Sequence, residues 1–204
     1  MPGASNYEPE YVLARRVLLD VLEALSAHRE AVVLVGAQAI YLQVGEGDLA
    51  VSPYTTDGDL VIDPRELQDE PLLAETLEAA GFELAVRPGS WTLAEVQIDL
   101  MVPASMGGSG RRGARLGVHG NDVARKASGL EGAVVDYGPL RVAALDPTDE
   151  RAFVVNVAGV AALLVAKLHK VDERKNEAAR RQDKDGLDVC GCFVSRKLPI
   201  SRRL

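Results

Sequence analysis

With 204 residues, 47% of them hydrophobic, and a mean hydropathy of +0.01, the chain can bury an ample core in one large domain or two small lobes. Its formal net charge of −7 argues against a general nucleic-acid binder. The longest near-apolar run, Val157 to Ala166, is too short to span a bilayer, and the opening MPGASNYEPEY carries acids and no apolar h-region, so neither membrane insertion nor secretion is expected.

In chain order, Tyr11 to Arg29 places Leu13, Val17, Leu18, Val21, Leu22 and Leu25 on one helical face. Val32 to Val35 is a short β-branched run that reads as a buried strand. Gly36 breaks it, and Ala37 to Leu42 reads as a helix that starts at once. A strand-Gly-helix junction lets backbone approach a phosphate and aims free N–H groups at it. It is neither a Walker loop nor a Gly-x-Gly-x-x-Gly fingerprint, so an ordinary βα turn stays equally open here. Then come Thr55-Thr56, the acids Asp57 and Asp59, and Leu60-Val61-Ile62 up to Pro64. On a strand, residues i and i+2 share a face, so the two carboxylates repel unless a cation lies between them. Hard oxygen ligands of this kind suit Mg²⁺ or Mn²⁺ completed by nucleotide phosphates.

Pro71 to Ala80 reads as an amphipathic helix stopped by Gly81. Phe82 to Val86, Ser90 to Leu93 and Val96 to Val102 read as strands, the last carrying Asp99 near its middle. A buried strand Asp is expensive unless paired or bound to metal, so Asp99 is a candidate third acid of a two-metal site. Gly107 to Gly120 is glycine-rich and basic and reads as a mobile loop or ribbon. Gly132 to Val142 holds two short strand candidates around Gly138-Pro139. From Asp146-Pro147 onward the pattern reads as helical. The expectation is an α/β (α+β) fold, with a mixed-sheet lobe and flanking helices over 1–145 and a smaller helical lobe over 146–204.

These blocks resemble the polymerase-β-type nucleotidyltransferase superfamily, whose pattern is apolar-Gly-Gly/Ser, a spacer, Asp-x-Asp/Glu, and a later Asp on another strand. Leu163-Leu164-Val165-Ala166-Lys167-Leu168, followed by Lys184-Asp185-Gly186-Leu187-Asp188, is similar to the abortive-infection (AbiEii) and MenT-like toxin branch. Ala37 departs from the pattern where Gly or Ser is usual, and Gly58 where an apolar residue is usual. The resemblance implies an enzyme of nucleotidyl transfer that takes an NTP with Mg²⁺ or Mn²⁺ and uses a tRNA 3′ end as acceptor. It also implies a cognate antitoxin and a cytoplasmic setting. Asp57, Asp59 and Asp99 would be the metal ligands, and Gly36, Ala37, Thr55 and Thr56 nucleotide contacts. Lys167 would hold the triphosphate, and Lys184, Asp185 and Asp188 would shape the nucleotide pocket. The rival readings are transfer to a protein or small-molecule hydroxyl, such as AMPylation or antibiotic modification, and a non-catalytic relative that binds nucleotide or a partner.

Two further features bear on the site. On a helical wheel Lys167 falls within the apolar stripe of Val160, Leu163, Leu164 and Val171, where a charge is uncommon unless it snorkels or meets anions. Were one straight helix to continue, Lys167 and Asp185 would stand about 27 Å apart, so a shared site requires the chain to turn. His28, His119 and His169 lack metal-ligand spacing and read as surface or capping residues, His119 at most as an RNA contact. Arg111, Arg112, Arg115, Arg125 and Lys126 form a basic segment, with Arg111, Arg112 and Arg115 the best RNA candidates. Cys190 and Cys192 read as reduced and incidental.

Overall fold

The computed structural model describes residues 7–44 and 54–174. Helix α1 (Pro9–Ala24) starts with proline at its first position, where the missing N–H is not needed, and runs into a 3₁₀ turn (Leu25–His28). Its apolar face (Val17, Leu18, Val21 and Leu25 among others) is buried. The following segments alternate as the sequence leads one to expect: β1 (Val32–Val35), α2 (Gly36–Val44), β2 (Asp57–Ile62), α3 (Leu73–Ala79), β3 (Glu83–Leu84), β4 (Ser90–Leu93) and β5 (Val96–Pro103). A short β6 (Arg125–Ala127), β7 (Tyr137–Ala143), β8 (Ala152–Ala158) and α4 (Val160–Arg174) complete the described chain.

All strands join one mixed sheet in the order β3-β4-β5-β2-β1-β8-β7, with β6 pairing the far half of β5. Strands β1 and β2 are antiparallel, whereas β1–β8, β2–β5 and β5–β6 are parallel. Strands buried on both faces need no polar alternation. That explains the continuous apolar runs of β1 and of Leu60-Val61-Ile62. Helices α1 and α2 pack on the central strands, and α4 packs on α2 and on a 3₁₀ turn at Glu131–Val134. Among the described residues, no helix is long and apolar enough to cross a membrane. The sheet with its flanking helices is the expected α/β fold.

Three local expectations are corrected. The stretch after Asp146 is not helical throughout, because Ala152–Ala158 forms β8 beside β1 in the sheet and helix begins only at Val160. Gly138-Pro139 is not a turn: β7 runs straight through it, and Pro139 is tolerated because β7 is an edge strand. Residues 107–120 form an ordered loop rather than a free one. Arg115 N–H donates to the Gly107 carbonyl at 3.0 Å, Lys126 N–H to Arg112 at 2.8 Å, and Lys126 Nζ ties down the carbonyls of Gly108 and Gly110.

Of the surface and capping readings of the histidines, the surface one fails for His28 and His119, which are buried and stacked edge-to-face at 5.6 Å, and the capping one holds for His119. The Leu73 N–H at the start of α3 donates to His119 Nδ1 at 3.2 Å, so Nε2 carries the proton and donates to the Gln68 carbonyl at 2.8 Å. His119 is a structural cap for α3.

The β4–β5 hairpin turns through Ala94 and Glu95, at φ of 49° and 68°. A two-residue hairpin loop with both residues at positive φ is the geometry that Asn-Gly fills without strain. The double change Ala94→Asn, Glu95→Gly is therefore expected to stabilise the protein by about 1–2 kcal/mol, a rise of about 3–6 °C in melting temperature. Thermal unfolding followed by circular dichroism checks this, and a fall would show that the turn carries no strain.

Candidate active site

The site is assembled where β1 hands over to α2. Gly36 adopts φ of 72°, and a Cβ placed there would overlap the Asp59 carboxylate. Only glycine allows this approach, so the break seen in the sequence has a steric cause. Register places Asp59 directly between Val35 on β1 and Asp99 on β5, so Asp59 and Asp99 are neighbours across the parallel pair. Gly58, between the two acids, faces Ile98 Cδ1, 2.7 Å from where a Cβ would stand, so an apolar side chain there would require Ile98 to move.

Asp57 and Asp59 share the same side of β2, as their spacing requires. Thr55, fully buried, donates its hydroxyl to Asp57 Oδ1, and Gln38 Nε2 donates to the Asp57 carbonyl at 3.1 Å. Gln38 is oriented in turn by the buried Arg15, whose Nε donates to Gln38 Oε1 at 2.7 Å, while the same guanidinium bonds Tyr11 and the Ala143 carbonyl. This network fixes the start of the Asp57 strand from beneath. Asp59 is held well above the ordinary carboxylate range, first by burial and then by the Asp57 charge, with Lys170 pulling the other way.

Asp99 behaves differently. It accepts from Arg87 at 3.1 Å on both oxygens, from Arg125 at 2.8 Å and from Gln97 Nε2 at 2.8 Å. Burial pushes its pKa up, but the charge and hydrogen bond of Arg125 and the charge of Arg87 outweigh this, and the net direction is downward. Its oxygens already accept four hydrogen bonds from these three side chains. Among the described residues no group of three or more His, Cys, Asp or Glu side chains is arranged to hold a metal ion.

A cavity of about 500 Å³ opens over Asp59, floored by Val35, Gly36, Ile40 and Met101 and walled by α4. Lys167, nearly buried, and Lys170 enter from α4, and Arg87 and Arg125 from the β5 side. The amine inside the apolar stripe is therefore real, although Val171 at the far end of that stripe is 40% exposed. Of the sequence candidates, Gly36, Asp59 and Lys167 line the cavity. Asp57 lies beside it on β2, Ala37 is buried in the first turn of α2, and Thr56 is exposed. Lys184, Asp185 and Asp188 lie outside the described residues, as do Cys190 and Cys192. Arg111, Arg112 and Arg115 are exposed on the loop and do not line the cavity.

Sequence reasoning missed Arg87, Arg125 and Lys170 as cavity residues. Lys170 was within reach, since i+3 from Lys167 lies on the same helix face. Arg125 was visible only as one of a basic run, and Arg87 sits before a proline-glycine turn that gives no hint of its target.

The carboxylate pair fits a divalent cation. Two acids on one strand face, one of them with a raised pKa, form a site of excess negative charge that a cation relieves. Asp99, saturated by arginine, does not add a third ligand in this arrangement.

No family model matches the chain, and no curated protein matches it. Two solved structures do. One is a crystal structure of ANT(2")-Ia in complex with adenylyl-2"-tobramycin, 15% identical, with 89% of this chain and 88% of that chain covered at a TM-score of 0.50. The other is a solution structure of the antibiotic-resistance factor ANT(2'')-Ia, 12% identical, with 89% and 81% covered at a TM-score of 0.47. With its mixed sheet and flanking helices, the chain has the nucleotidyltransferase fold.

Proposed function

We propose that this protein is a divalent-metal-dependent nucleotidyltransferase that moves a nucleotidyl group from an NTP to the hydroxyl of a small molecule. The carrying observation is Asp59, held against the bare α-carbon of Gly36 beside Asp57, at the strand-helix junction of a nucleotidyltransferase fold. The adenylyl-tobramycin in the first structural neighbour supports a small acceptor over the tRNA 3′ end and the antitoxin that the toxin-branch resemblance implies. The exposed arginines of the 107–120 loop, which carried the RNA expectation, are not among the residues that line the cavity.

In this reading the acceptor oxygen attacks the α-phosphorus, the bond to the bridging oxygen breaks, pyrophosphate leaves with the electron pair, and the hydroxyl proton passes to water. Mg²⁺ or Mn²⁺ held by Asp57 and Asp59 would polarise the phosphoryl oxygens and offset developing charge. The chain's own residues do the rest. Gly36 lets the Asp59 carboxylate come up against the strand-helix junction, and Thr55 with Gln38 fixes Asp57. Lys167 and Lys170, entering from α4, face the negative charge that grows on pyrophosphate. Asp99, kept ionised and saturated, positions arginines rather than accepting the proton.

The test is incubation with each α-³²P-labelled NTP, Mg²⁺ and a cell extract separated into small molecules, RNA and protein. Label in an acid-soluble, phosphatase-resistant product is expected. Label in tRNA-sized RNA or in a protein band would replace the acceptor, and no divalent-dependent labelling or nucleotide binding would leave the non-catalytic alternative.

A further inference from the structure

We propose that Arg87 and Arg125, braced by Asp99, form a subsite for an anionic group carried by the acceptor, a phosphate or carboxylate near its reactive hydroxyl. The inference rests on the nucleotidyltransferase reading and goes beyond it by assigning the acceptor's charge. Location is the first argument. In the sheet, Gly36 and α2 lie on the β1 side of Asp59, whereas Asp99 and its two arginines lie on the β5 side. A nucleotide whose phosphates use the Gly36 junction leaves the β5 side for the other substrate.

The second argument is spare hydrogen-bonding capacity. Arg87 spends one nitrogen, NH2, on both Asp99 oxygens, and Arg125 likewise bonds through NH2. Arg125 Nε is buried with no acceptor. A buried donor with no acceptor is unfavourable, so a guanidinium in this state favours an incoming oxyanion. Asp99 cannot supply more, since Gln97 takes a further position on it. A rigid fork of N–H groups suits the planar or tetrahedral oxygens of carboxylate and phosphate.

Charge is the third. Arg87, Arg125, Lys126, Lys167 and Lys170 line the cavity, and Asp59 is its only carboxylate lining residue among those described. With Lys167 and Lys170 facing the nucleotide's phosphates and Lys126 tied through Nζ to the loop carbonyls, Arg87 and Arg125 are the cations that remain on the β5 side. A polycation such as tobramycin would meet like charges in a partly desolvated space, which discriminates strongly against it.

The turn that delivers Arg87 is built for this position. Gly89, at φ of 73°, threads between β5 and β6, where a Cβ would overlap the Arg125 N–H and the Leu100 carbonyl. Its own N–H and carbonyl bond Asp122 and Leu100 at 2.8 and 2.7 Å. Arg87, just before it, is thereby fixed beside Arg125.

The experiment titrates the Mg²⁺-loaded protein, saturated with α,β-methylene-ATP, with inorganic phosphate, acetate and tobramycin in separate calorimetric runs. Phosphate is expected to bind and to lose affinity at least tenfold in Arg87→Gln and in Arg125→Gln, with Lys170→Gln changing it less. Stronger acetate binding would assign a carboxylate as the group. Binding of tobramycin without phosphate or acetate, or phosphate affinity unchanged in Arg87→Gln, would overturn the subsite. Arg87 is half exposed, so Arg87→Gln disturbs packing less than Arg125→Gln; circular dichroism checks that both variants fold. Failure of the nucleotide analogue itself to bind would sink the nucleotidyltransferase reading instead, and the anion titrations repeated without nucleotide would still decide the subsite.

Discussion

Asp59→Asn is expected to abolish nucleotidyl transfer and to raise the melting temperature of the metal-free protein at neutral pH. Losing a charged metal ligand removes about 4 kcal/mol of transition-state stabilisation, about a thousandfold in rate. The opposite effect on stability follows from the raised pKa of Asp59, which burial and then Asp57 impose. An acid whose folded pKa lies above its unfolded value destabilises the fold wherever it is ionised in both states. That penalty is complete above the raised value and vanishes as pH falls toward the unfolded value of about 3.9. The variant's advantage should therefore shrink as pH is lowered through that window. Mg²⁺ should raise the melting temperature of the wild type but not of the variant. Near-wild-type transfer in Asp59→Asn, or an equal Mg²⁺ response in both proteins, would remove Asp59 from the metal site.

The second large effect is expected at Lys167. Lys167→Met keeps the aliphatic stem packed beside Leu163 and Ala166 in the cavity wall but removes the charge. The melting temperature should move by no more than about 3 °C, while turnover falls about a hundredfold or more, because the amine matters most as negative charge shifts to pyrophosphate. Lys170→Met, at a half-exposed position one turn on, should lose less. Both quantities are to be read on one preparation. Unaltered turnover with unaltered stability would make Lys167 a snorkelling lysine and nothing more.

The features legible in the sequence were those written into consecutive residues. The strand-Gly-helix junction, the alternation that puts Asp57 and Asp59 on one face, and the lysine within an apolar stripe all follow from local periodicity. What stayed hidden depends on pairing between distant segments. Asp99 was recognised as a buried acid, but its arginine partners come from a turn before β4 and from β6, and no spacing rule links those positions. β8 was missed for a related reason. In AFVVNVAGVAALLVAKL one apolar run spans a strand and a helix, and only Gly159 separates them. The glycine is fixed there by its N–H bond to the Asp136 carbonyl, and the Asp136 side chain accepts from Ala162 N–H in the first turn of α4. That boundary is written in the tertiary structure, since Asp136 belongs to another segment.

The place of β8 also governs the order in which this chain can fold. β1, emerging early from the ribosome, is completed on one side by β2 but waits for Val33 and Leu34 to meet Asn156 and Val157 on the other. Until then a four-residue, wholly apolar strand presents an unsatisfied hydrogen-bonding edge, the kind of surface that recruits strands from neighbouring chains. The Gly36–Asp59 junction sits at the end of that same strand. A polypeptide cut short before residue 152 would hold every acid of the proposed metal site and still leave its central strand open to aggregation, so the stretch that carries those acids is not by itself a unit of folding.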